Sequence, residues 1–426
     1  MFAIVILIGG DGTRVSSLTK GKAKPELELF KNKKIIDFQI EAVAGLNKKI
    51  ILLSRSKFRN LHSYILEKYK NLNIEIVTEE EKLGTAGCLY PLRKLNYKYY
   101  LVIYGDLIFN IDFIKLIKFH KIKNADCTLA VHPNDHSIDS DCIEIDENFK
   151  SKKIFFKPHL KKNIPNLCLA GINVINKKTL ILIKKKKFQD FSKDFLKLNE
   201  KKIKIFGYNT REYIKDAGTP KRINQIKKEL KGFKFRNGNI NNKIPAIFLD
   251  KDGVINKLNK KKHYQKIDKL IKGTINSLKL INKSGFLSIL ITNQPAIAKG
   301  IVSEEKFLKD LNKLSYMLSK NKVYIDRVYY CPHHPQKGYK KEIKSLKIKC
   351  RCRKPNNGLF LDAIKDLNID KKKSYVIGDQ ISDYLASKKT NLNFIGVNNT
   401  KLFKSEKIFS KKNLYSAIKY IFKEKI

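Results

Sequence analysis

Short apolar segments alternate with amphipathic segments along the whole chain, and this alternation is the feature that most constrains the fold. The pattern predicts strands at residues 3–8, 50–53, 74–77 and 100–103, and intervening helices at residues 34–44 and 57–69. Strands that alternate with helices are typical of βαβ units, in which helices cover a mainly parallel sheet. The sequence therefore predicts an α/β fold.

The length and one break in the pattern predict two domains. A chain of 426 residues exceeds the usual size of a single hydrophobic core. Residues 231–243 are polar, rich in Gly and Asn and aperiodic, which is typical of a linker, and a new strand is predicted at 246–249. We therefore expect one domain at 1–230, a linker at 231–243 and a second domain at 244–426.

The formal net charge of +49 raises the hypothesis of nucleic-acid binding. The excess is mostly lysine spread along the chain, whereas arginine, which reads phosphates and base edges, is sparse. We expect small anionic substrates and no nucleic-acid partner. A basic, zinc-containing nucleic-acid-binding protein is the remote alternative.

The apolar segment at the N-terminus, residues 2–8, is far shorter than the ~20 residues of a membrane helix and lacks the flanks of a signal peptide. We therefore expect a cytoplasmic protein without a membrane partner. Cys88, Cys127, Cys142 and Cys168 show no pairing pattern and are expected to be small buried residues in a reducing compartment.

A glycine-rich turn follows the first predicted strand, and basic residues accompany it. Glycines let the backbone turn sharply, so that N–H groups approach phosphate oxygens. Arg14 and Lys24 would offset the charge of a triphosphate. The residues expected to bind nucleotide or to act in catalysis here are Gly9, Gly10, Gly12, Thr13, Arg14 and Lys24.

Three later motifs complete a recognisable series in the first half. Residues 83–87 read Leu-Gly-Thr-Ala-Gly, Asp106 follows a predicted strand, and Asp216 opens the sequence Asp-Ala-Gly-Thr-Pro. With the glycine-rich turn, these motifs resemble the sugar nucleotidyltransferase family. The resemblance implies that a sugar 1-phosphate attacks the α-phosphorus of a nucleoside triphosphate and releases pyrophosphate.

The resemblance also implies roles for single residues. Gly84 and Thr85 would contact the base and ribose, and Asp106 and Asp216 would bind Mg²⁺, which prefers a few carboxylate oxygens. Lys157 would grip the sugar phosphate, although the family's usual Glu-Lys-Pro reads Phe-Lys-Pro here.

Two aspartates follow the predicted strand that opens the second half. Asp250 and Asp252 are two residues apart, so both face the same side of an extended backbone, as a nucleophile and an acid/base require. The context resembles the haloacid dehalogenase (HAD) superfamily, whose other motifs would be represented by Thr292, Asn293, Arg353, Lys354, Asp379 and Asp383.

That second resemblance implies a phosphatase in which Asp250 attacks phosphorus and Asp252 protonates the leaving oxygen. Mg²⁺ would be held by Asp250, Asp252 and Asp379. Thr292, Asn293, Arg353 and Lys354 would bind the substrate, with Lys354 and Thr292 on the phosphoryl oxygens. Asp383 would orient Lys354 or support the metal.

A cluster of sulfur and imidazole ligands precedes the Arg-Lys-Pro motif. Cys331, His333, Cys350 and Cys352 supply the three sulfurs and one nitrogen of a closed tetrahedral zinc site. A site without an open position is structural, and we expect it to order the loop that carries residues 353–354. His334 is then the spare histidine.

The second-half motifs together resemble the phosphatases of D-glycero-D-manno-heptose 1,7-bisphosphate, with the histidinol phosphate phosphatases as the relative to exclude. Removal of the 7-phosphate leaves a sugar 1-phosphate, which the first half would consume. The resemblance therefore implies consecutive steps toward a nucleotide-activated heptose for surface polysaccharide such as lipopolysaccharide, with GTP favoured because the first half resembles heptose 1-phosphate guanylyltransferases. Another sugar phosphate, or CTP or UTP, is the alternative.

Overall fold

The computed structural model describes residues 1–159, 163–257, 264, 267 and 269–423. Contacts between Cα atoms divide the chain into two compact units. The first comprises Met1–His132, Ser140–Lys157 and Leu167–Ile240, and the second comprises Pro133–Asp139, Pro158–Asn166 and Asn241–Ile426.

The first unit contains a mixed sheet covered by helices. Its strands are β1 (Phe2–Leu7), β2 (Glu28–Phe30), β3 (Lys33–Lys34), β4 (Ile50–Arg55), β5 (Ile74–Glu79), β6 (Tyr99–Tyr104), β7 (Leu107–Asn110), β8 (Cys127–His132), β9 (Cys142–Ile145), β10 (Ser151–Phe155), β11 (Cys168–Asn176), β12 (Ile205–Asn209) and β13 (Tyr213–Asp216). Its α-helices are α1 (Ser16–Thr19), α2 (Ile35–Ala44), α3 (Arg59–Lys68), α4 (Gly84–Gly87), α5 (Phe113–Ile122), α6 (Lys197–Asn199), α7 (Pro220–Leu230) and α8 (Phe233–Arg236), and a π-helical turn covers Phe191–Leu196.

The strand order of this sheet is β10-β9-β11-β6-β1-β4-β5, and in addition β8 pairs with β11 and β12 pairs with β8. Strands β5, β4, β1 and β6 are parallel, whereas β11 is antiparallel to β6. The predicted parallel region is confirmed, but hydrophobic periodicity carries no information about strand direction, so the antiparallel half was not predicted.

The second unit contains a fully parallel sheet. Its strands are β14 (Ala246–Leu249), β15 (Leu287–Asn293), β16 (Arg327–Cys331), β17 (Tyr375–Gly378), β18 (Asn393–Val397) and β19 (Ser410–Lys411). Its α-helices are α9 (Thr274–Ser284), α10 (Pro295–Ala298), α11 (Glu304–Lys320), α12 (Gly358–Leu367), α13 (Ile381–Thr390), α14 (Thr400–Ser405) and α15 (Leu414–Lys423). The strand order β16-β15-β14-β17-β18-β19 is that of a doubly wound fold.

Apolar side chains from both faces of each sheet form the cores. Clusters of fully buried Ile, Leu, Val and Phe lie on either side of both sheets. This explains why the central strands read as continuous apolar runs, because a parallel sheet is covered on both faces. The predicted α/β class with two helix-flanked sheets is confirmed.

Part of the predicted linker packs on the first unit. The ring of Phe235 in α8 lies edge-on to Tyr213, with 5.2 Å between the centroids. The Asn110 side chain donates a hydrogen bond of 2.9 Å to the Phe235 carbonyl oxygen. The aperiodic composition predicted an irregular connection but not these local contacts.

Among the helices of the described residues, none has both the length and the apolar character needed to cross a bilayer.

We predict that Gly105→Ala destabilises the first unit. A Cβ at this position would meet the carbonyl oxygen of Leu7 far inside van der Waals contact, at the point where β1 and β6 end together. Because backbone must move, we expect a loss of about 1–3 kcal/mol in the free energy of unfolding, measured by urea denaturation. Gly45→Ala is the matched control, since a Cβ there meets nothing within 4 Å. Equal stability of the two variants would contradict the prediction.

Candidate active sites and metal centre

The second unit places its acidic residues where the strand order reverses. Strands β14 and β17 are neighbours. The chain continues from β14 to β15 toward one edge of the sheet and from β17 to β18 toward the other edge. Ligands in folds of this kind bind in the crevice at such a point, beyond the carboxyl ends of the strands. Asp250 follows β14 and Asp379 follows β17. The two sequence-predicted carboxylates therefore lie at the same end of the sheet.

Lys354 joins two of the predicted residues in a buried ion-pair group. Its Nζ lies 2.6 Å from Asp250 Oδ1 and 2.6 Å from Asp383 Oδ1, and it donates a 3.0 Å hydrogen bond to the Ile291 carbonyl oxygen. The lysine side chain is 3% exposed. The ammonium has three donors, and these three acceptors use all of them.

The carboxylates of Asp250, Asp379 and Asp383 form a group whose oxygens lie within 4.8 Å of one another. Burial raises the pKa of Asp250 to about 7 and, separately, that of Asp379 to about 6. Burial alone would lower the pKa of Lys354, but the charges of Asp250 and Asp383 outweigh it and raise the pKa above its usual value. Three carboxylates thus face one ammonium.

A divalent cation fits this group on two observations. The excess of carboxylates over cations leaves negative charge in a buried pocket, and a positive ion would relieve it. In addition, Asp379 Oδ1 is buried and has no hydrogen-bond partner among the described residues. Oxygen ligands of this kind suit Mg²⁺. The group differs from the predicted set in containing the side chain of Asp383 in place of that of Asp252.

Asp252 is held apart from that group by its own partners. Its carboxylate accepts hydrogen bonds from Lys251 Nζ (2.5 Å), Asn256 Nδ2 (2.8 Å) and Gln294 Nε2 (3.1 Å). Lys251 is completely buried. These donors fix the position of the Asp252 side chain, as an acid/base residue requires.

The turn after β14 requires a glycine where it passes the end of β17. Gly253 has φ +102°, and a Cβ there would overlap the carboxylate of Asp379. The turn after β14 therefore passes directly against the end of β17. Any side chain at this position would displace Asp379.

The remaining predicted phosphatase residues surround Lys354. Asn293 Oδ1 accepts from the Lys354 backbone N–H at 3.1 Å, and Asn293 Nδ2 donates to the Lys354 carbonyl oxygen at 3.1 Å. Thr292 is buried at the end of β15 and accepts a 2.9 Å hydrogen bond from Gln294 Nε2. Arg353 donates to the His333 carbonyl oxygen at 3.4 Å. The sequence prediction thus brought together residues that are up to about 130 positions apart in the chain.

The four predicted zinc ligands converge in the same unit. His333 Nδ1 lies 3.2 Å from Cys352 Sγ and 3.6 Å from Cys331 Sγ, and Cys352 Sγ lies 3.3 Å from Cys350 Sγ. All four ligand atoms lie within 4.8 Å of one another, and the three thiols are free. Such a donor set and spacing fit a tetrahedral metal ion. The cluster brings residues 331 and 352 together next to the loop that carries Lys354.

The glycine-rich turn of the first unit leads from β1 to α1. Gly12 has φ +62°, which favours glycine, and a Cβ there would lie 3.2 Å from Lys24 Cβ. Lys24 is almost fully buried, and its Nζ lies 2.7 Å from Asp106 Oδ2. Arg14 is exposed, and Gly9 and Gly10 lie in the irregular segment after β1. The side chain of Thr13 lies outside the described part of the chain.

Asp106 and Asp216 are brought together by strand pairing. Asp216 is the last residue of β13, which pairs with β7, and the Ala217 N–H donates a 2.7 Å hydrogen bond to the Asp106 carbonyl oxygen. Each carboxylate has a cationic neighbour, since Arg222 Nη1 lies 2.7 Å from Asp216 Oδ1. The sequence placed both aspartates in one site but missed Arg222.

Gly84 and Thr85 begin a short helix that packs on the π-helical turn. Gly84 has φ +77°, and a Cβ there would lie 2.5 Å from the Gln189 carbonyl oxygen. Thr85 Oγ1 donates to Asp190 at 3.2 Å and accepts from the Phe191 N–H at 2.8 Å. Lys157 lies apart from these residues, exposed beyond β10.

A cavity of about 410 Å³ adjoins that helix at the ends of β4 and β5. Its apolar lining includes Leu53, Val77, Leu83, Cys88 and Pro91, and its polar lining includes Glu79, Glu80, Glu81 and Lys186. Cys88 is only half-buried because it lines this space, whereas Cys127, Cys142 and Cys168 are buried as expected. Sequence reasoning missed Glu79, because the side chain only becomes informative once the cavity is known.

Comparison with known proteins agrees with this division. Residues 3–231 match the family model described as nucleotidyl transferase, and residues 351–408 match the HAD-hydrolase-like model. D-glycero-β-D-manno-heptose-1,7-bisphosphate 7-phosphatases are similar to the second half. That of Photorhabdus laumondii is 40% identical over 34% of this chain and 74% of its own length, and that of Escherichia coli K12 is 38% identical over 35% and 76%.

Solved structures with a similar course of the chain include HddC from Yersinia pseudotuberculosis. That match has 22% identity and a TM-score of 0.46, and it covers 54% of this chain and all of HddC. A putative glucose-1-phosphate thymidylyltransferase from Bacillus anthracis matches at 17% identity with a TM-score of 0.46, over 56% of this chain and all of that one.

The folds and sites define an enzyme with two centres, a nucleotidyltransferase and a HAD-type phosphatase. The chain belongs to the nucleotidyl transferase family through its N-terminal half and to the family of heptose-bisphosphate phosphatases through its C-terminal half.

We predict that Cys352→Ala removes bound metal from the second unit. Loss of one of four ligands opens the site, so metal content should fall from about one zinc per chain toward zero in elemental analysis of purified protein. Cys142→Ala is the matched control. Its thiol also lies near another, with Cys168 Sγ at 3.4 Å, but this pair has no place in a group of metal ligands among the described residues. Equal zinc content in the two variants would contradict the assignment.

Proposed function

We propose that this enzyme carries out two consecutive steps toward a nucleotide-activated heptose. The second unit removes the 7-phosphate of D-glycero-D-manno-heptose 1,7-bisphosphate, and the first unit joins the resulting heptose 1-phosphate to a nucleotide with release of pyrophosphate. The observation that carries the proposal is the buried Asp250–Lys354–Asp383 group, in a half that is about 40% identical to heptose-bisphosphate phosphatases.

Asp250 is the nucleophile in this proposal. Its Oδ1 is already paired with Lys354, which would also neutralise a phosphoryl oxygen as it approaches. Attack on phosphorus forms an aspartyl phosphate and breaks the ester bond, and Asp252 gives a proton to the departing sugar oxygen. Asp252 then takes a proton from the water that hydrolyses the aspartyl phosphate.

Metal ions complete both centres of the proposal. Asp250, Asp379 and Asp383, with Asp252 beside them, would hold Mg²⁺ in the second unit, which would offset phosphate charge. Asp106 and Asp216 would do the same in the first unit. Zn²⁺ would bind Cys331, His333, Cys350 and Cys352 and serve a structural role.

In the first unit, Lys24 and Arg14 would offset the charge of the triphosphate during nucleotidyl transfer. Lys24 is positioned for this role by its contact with Asp106 and its packing against Gly12. Gly84 and Thr85 lie beside the cavity that would receive the base. Lys157 would bind the sugar phosphate, as its family motif implies.

Glu79 supports GTP as the nucleotide. Burial raises the pKa of its carboxyl, and its Oε2 is buried without a hydrogen-bond partner among the described residues. Glu79 also lines the cavity. Guanine offers two adjacent donors, its ring N–H and exocyclic amino group, which a carboxylate can accept together, whereas adenine and the pyrimidines do not present that pair.

A direct assay tests the whole proposal. Purified protein is incubated with heptose 1,7-bisphosphate, Mg²⁺ and one of GTP, CTP, UTP or ATP, and the products are identified by mass. We expect inorganic phosphate, pyrophosphate and a GDP-heptose. Phosphate release with transfer to a different nucleotide would keep both reactions and change the base. Absence of both heptose 1-phosphate and any nucleotide-heptose would disprove the sugar assignment.

We predict that Asp250→Asn abolishes phosphate release, by at least about 10³-fold, because the amide cannot act as the nucleophile. Formation of nucleotide sugar from supplied heptose 1-phosphate should stay within about twofold of wild type. The reciprocal variant Asp106→Asn should lose nucleotidyl transfer and keep phosphate release, so each half serves as the control for the other. Loss of both reactions in either variant would contradict independent centres.

We predict that Glu79→Gln lowers kcat/KM for GTP by about 10²-fold, because the amide places a donor opposite guanine donors. The reaction with UTP or CTP should change by less than about threefold. Glu67→Gln is the matched control, since Glu67 is exposed on α3 and is not among the residues that line the cavity. A uniform loss over all nucleotides would show that Glu79 does not read the base.

A further inference from the structure

A loop of the second unit, residues 336–347, carries a buried lysine that none of the roles above uses. The Lys347 side chain is 1% exposed, and its Nζ has no hydrogen-bond partner among the described residues. Glu342 Oε2 lies 3.6 Å from that nitrogen, but it already accepts hydrogen bonds from the N–H groups of Gly338 and Tyr339. A buried ammonium normally has acceptors at hydrogen-bond distance. Lys347 is therefore incompletely paired.

A second lysine lies on the same aromatic ring. The Nζ atoms of Lys347 and Lys299 are each 4.6 Å from the centroid of the Tyr339 ring. The His334 ring lies 6.1 Å from that centroid. Two ammonium groups therefore share one ring, and Glu342 lies within ion-pair distance of one of them, Lys347.

The backbone segments that carry these lysines lie close to residues of the phosphatase site. Helix α10 begins directly after Gln294, whose side chain contacts Asp252, and Lys299 follows the end of that helix. Because a helix rises 1.5 Å per residue, Lys299 lies within about 8 Å of Gln294 along the backbone. The Ile343 N–H donates a 3.0 Å hydrogen bond to the Ala298 carbonyl oxygen, which anchors the loop beside α10.

We propose that Lys299, Lys347 and the Tyr339 ring form a subsite for the second, non-reacting phosphate of a sugar bisphosphate, an inference that rests on the phosphatase function proposed above. A phosphate dianion would give Lys347 the acceptors it lacks and would bring negative charge to two lysines that share one ring. The subsite would favour bisphosphates over phosphomonoesters, because only a second phosphate reaches it.

The test compares Lys347→Met and Lys299→Met on two substrates, heptose 1,7-bisphosphate and p-nitrophenyl phosphate. We expect KM for the bisphosphate to rise about 10- to 100-fold, while kcat/KM for the monoester stays within about twofold of wild type. Lys344→Met is the matched control, because this lysine is exposed on the same loop, and both substrates should react as with wild type.

Equal losses on the two substrates, or no loss on either, would overturn the subsite. Zinc content and thermal unfolding report whether Lys347→Met keeps its fold, and the less buried Lys299→Met provides the decisive comparison if it does not. If the wild-type enzyme prefers another sugar bisphosphate, such as fructose 1,6-bisphosphate, and both variants lose that preference, the subsite is supported and only the heptose assignment is wrong.

Discussion

The second unit depends on one buried lysine surrounded by carboxylates. Lys354 binds Asp250 and Asp383 at 2.6 Å each, and a burial that would otherwise disfavour its charge is offset by these two anions. Removing either partner would leave an uncompensated charge in the interior, which is far more costly than the pair itself. The zinc-ligand cluster, the turn at Gly253 and the amide of Asn293 all serve to hold this group in place.

The site of the first unit also depends on charge balance, but here cations must face anionic reactants. Its reactants are both anions, so the site needs cations, and it supplies Lys24 and Arg222 already paired with Asp106 and Asp216. These pairs hold the carboxylates in position, and Lys24 also packs against Gly12 of the glycine-rich turn. Asp106, Asp250 and Asp379 each follow the carboxyl end of a parallel strand, where ligands bind in folds of this kind.

The two proposed reactions share one chemical intermediate, a sugar 1-phosphate. That link explains why a phosphatase and a nucleotidyltransferase would occur in one polypeptide. The extra cations at Lys299 and Lys347 fit the same logic, because an enzyme that must keep the 1-phosphate and remove the 7-phosphate benefits from binding the group it does not cleave. The strong positive charge of the chain thus has at least one local use.

The sequence by itself determined the α/β class, the motifs and the two chemistries, because strand periodicity and residue order are local properties. It also placed Asp250, Lys354 and the four zinc ligands in shared sites. Only the tertiary structure decided the antiparallel half of the first sheet, the place of Asp383 in the carboxylate group, the pairing of Arg222 and the burial of Glu79 Oε2 and Lys347 Nζ without a hydrogen-bond partner among the described residues. Which side chains are buried and which charges are paired depends on the segments that pack together. The order of residues does not encode this position by position.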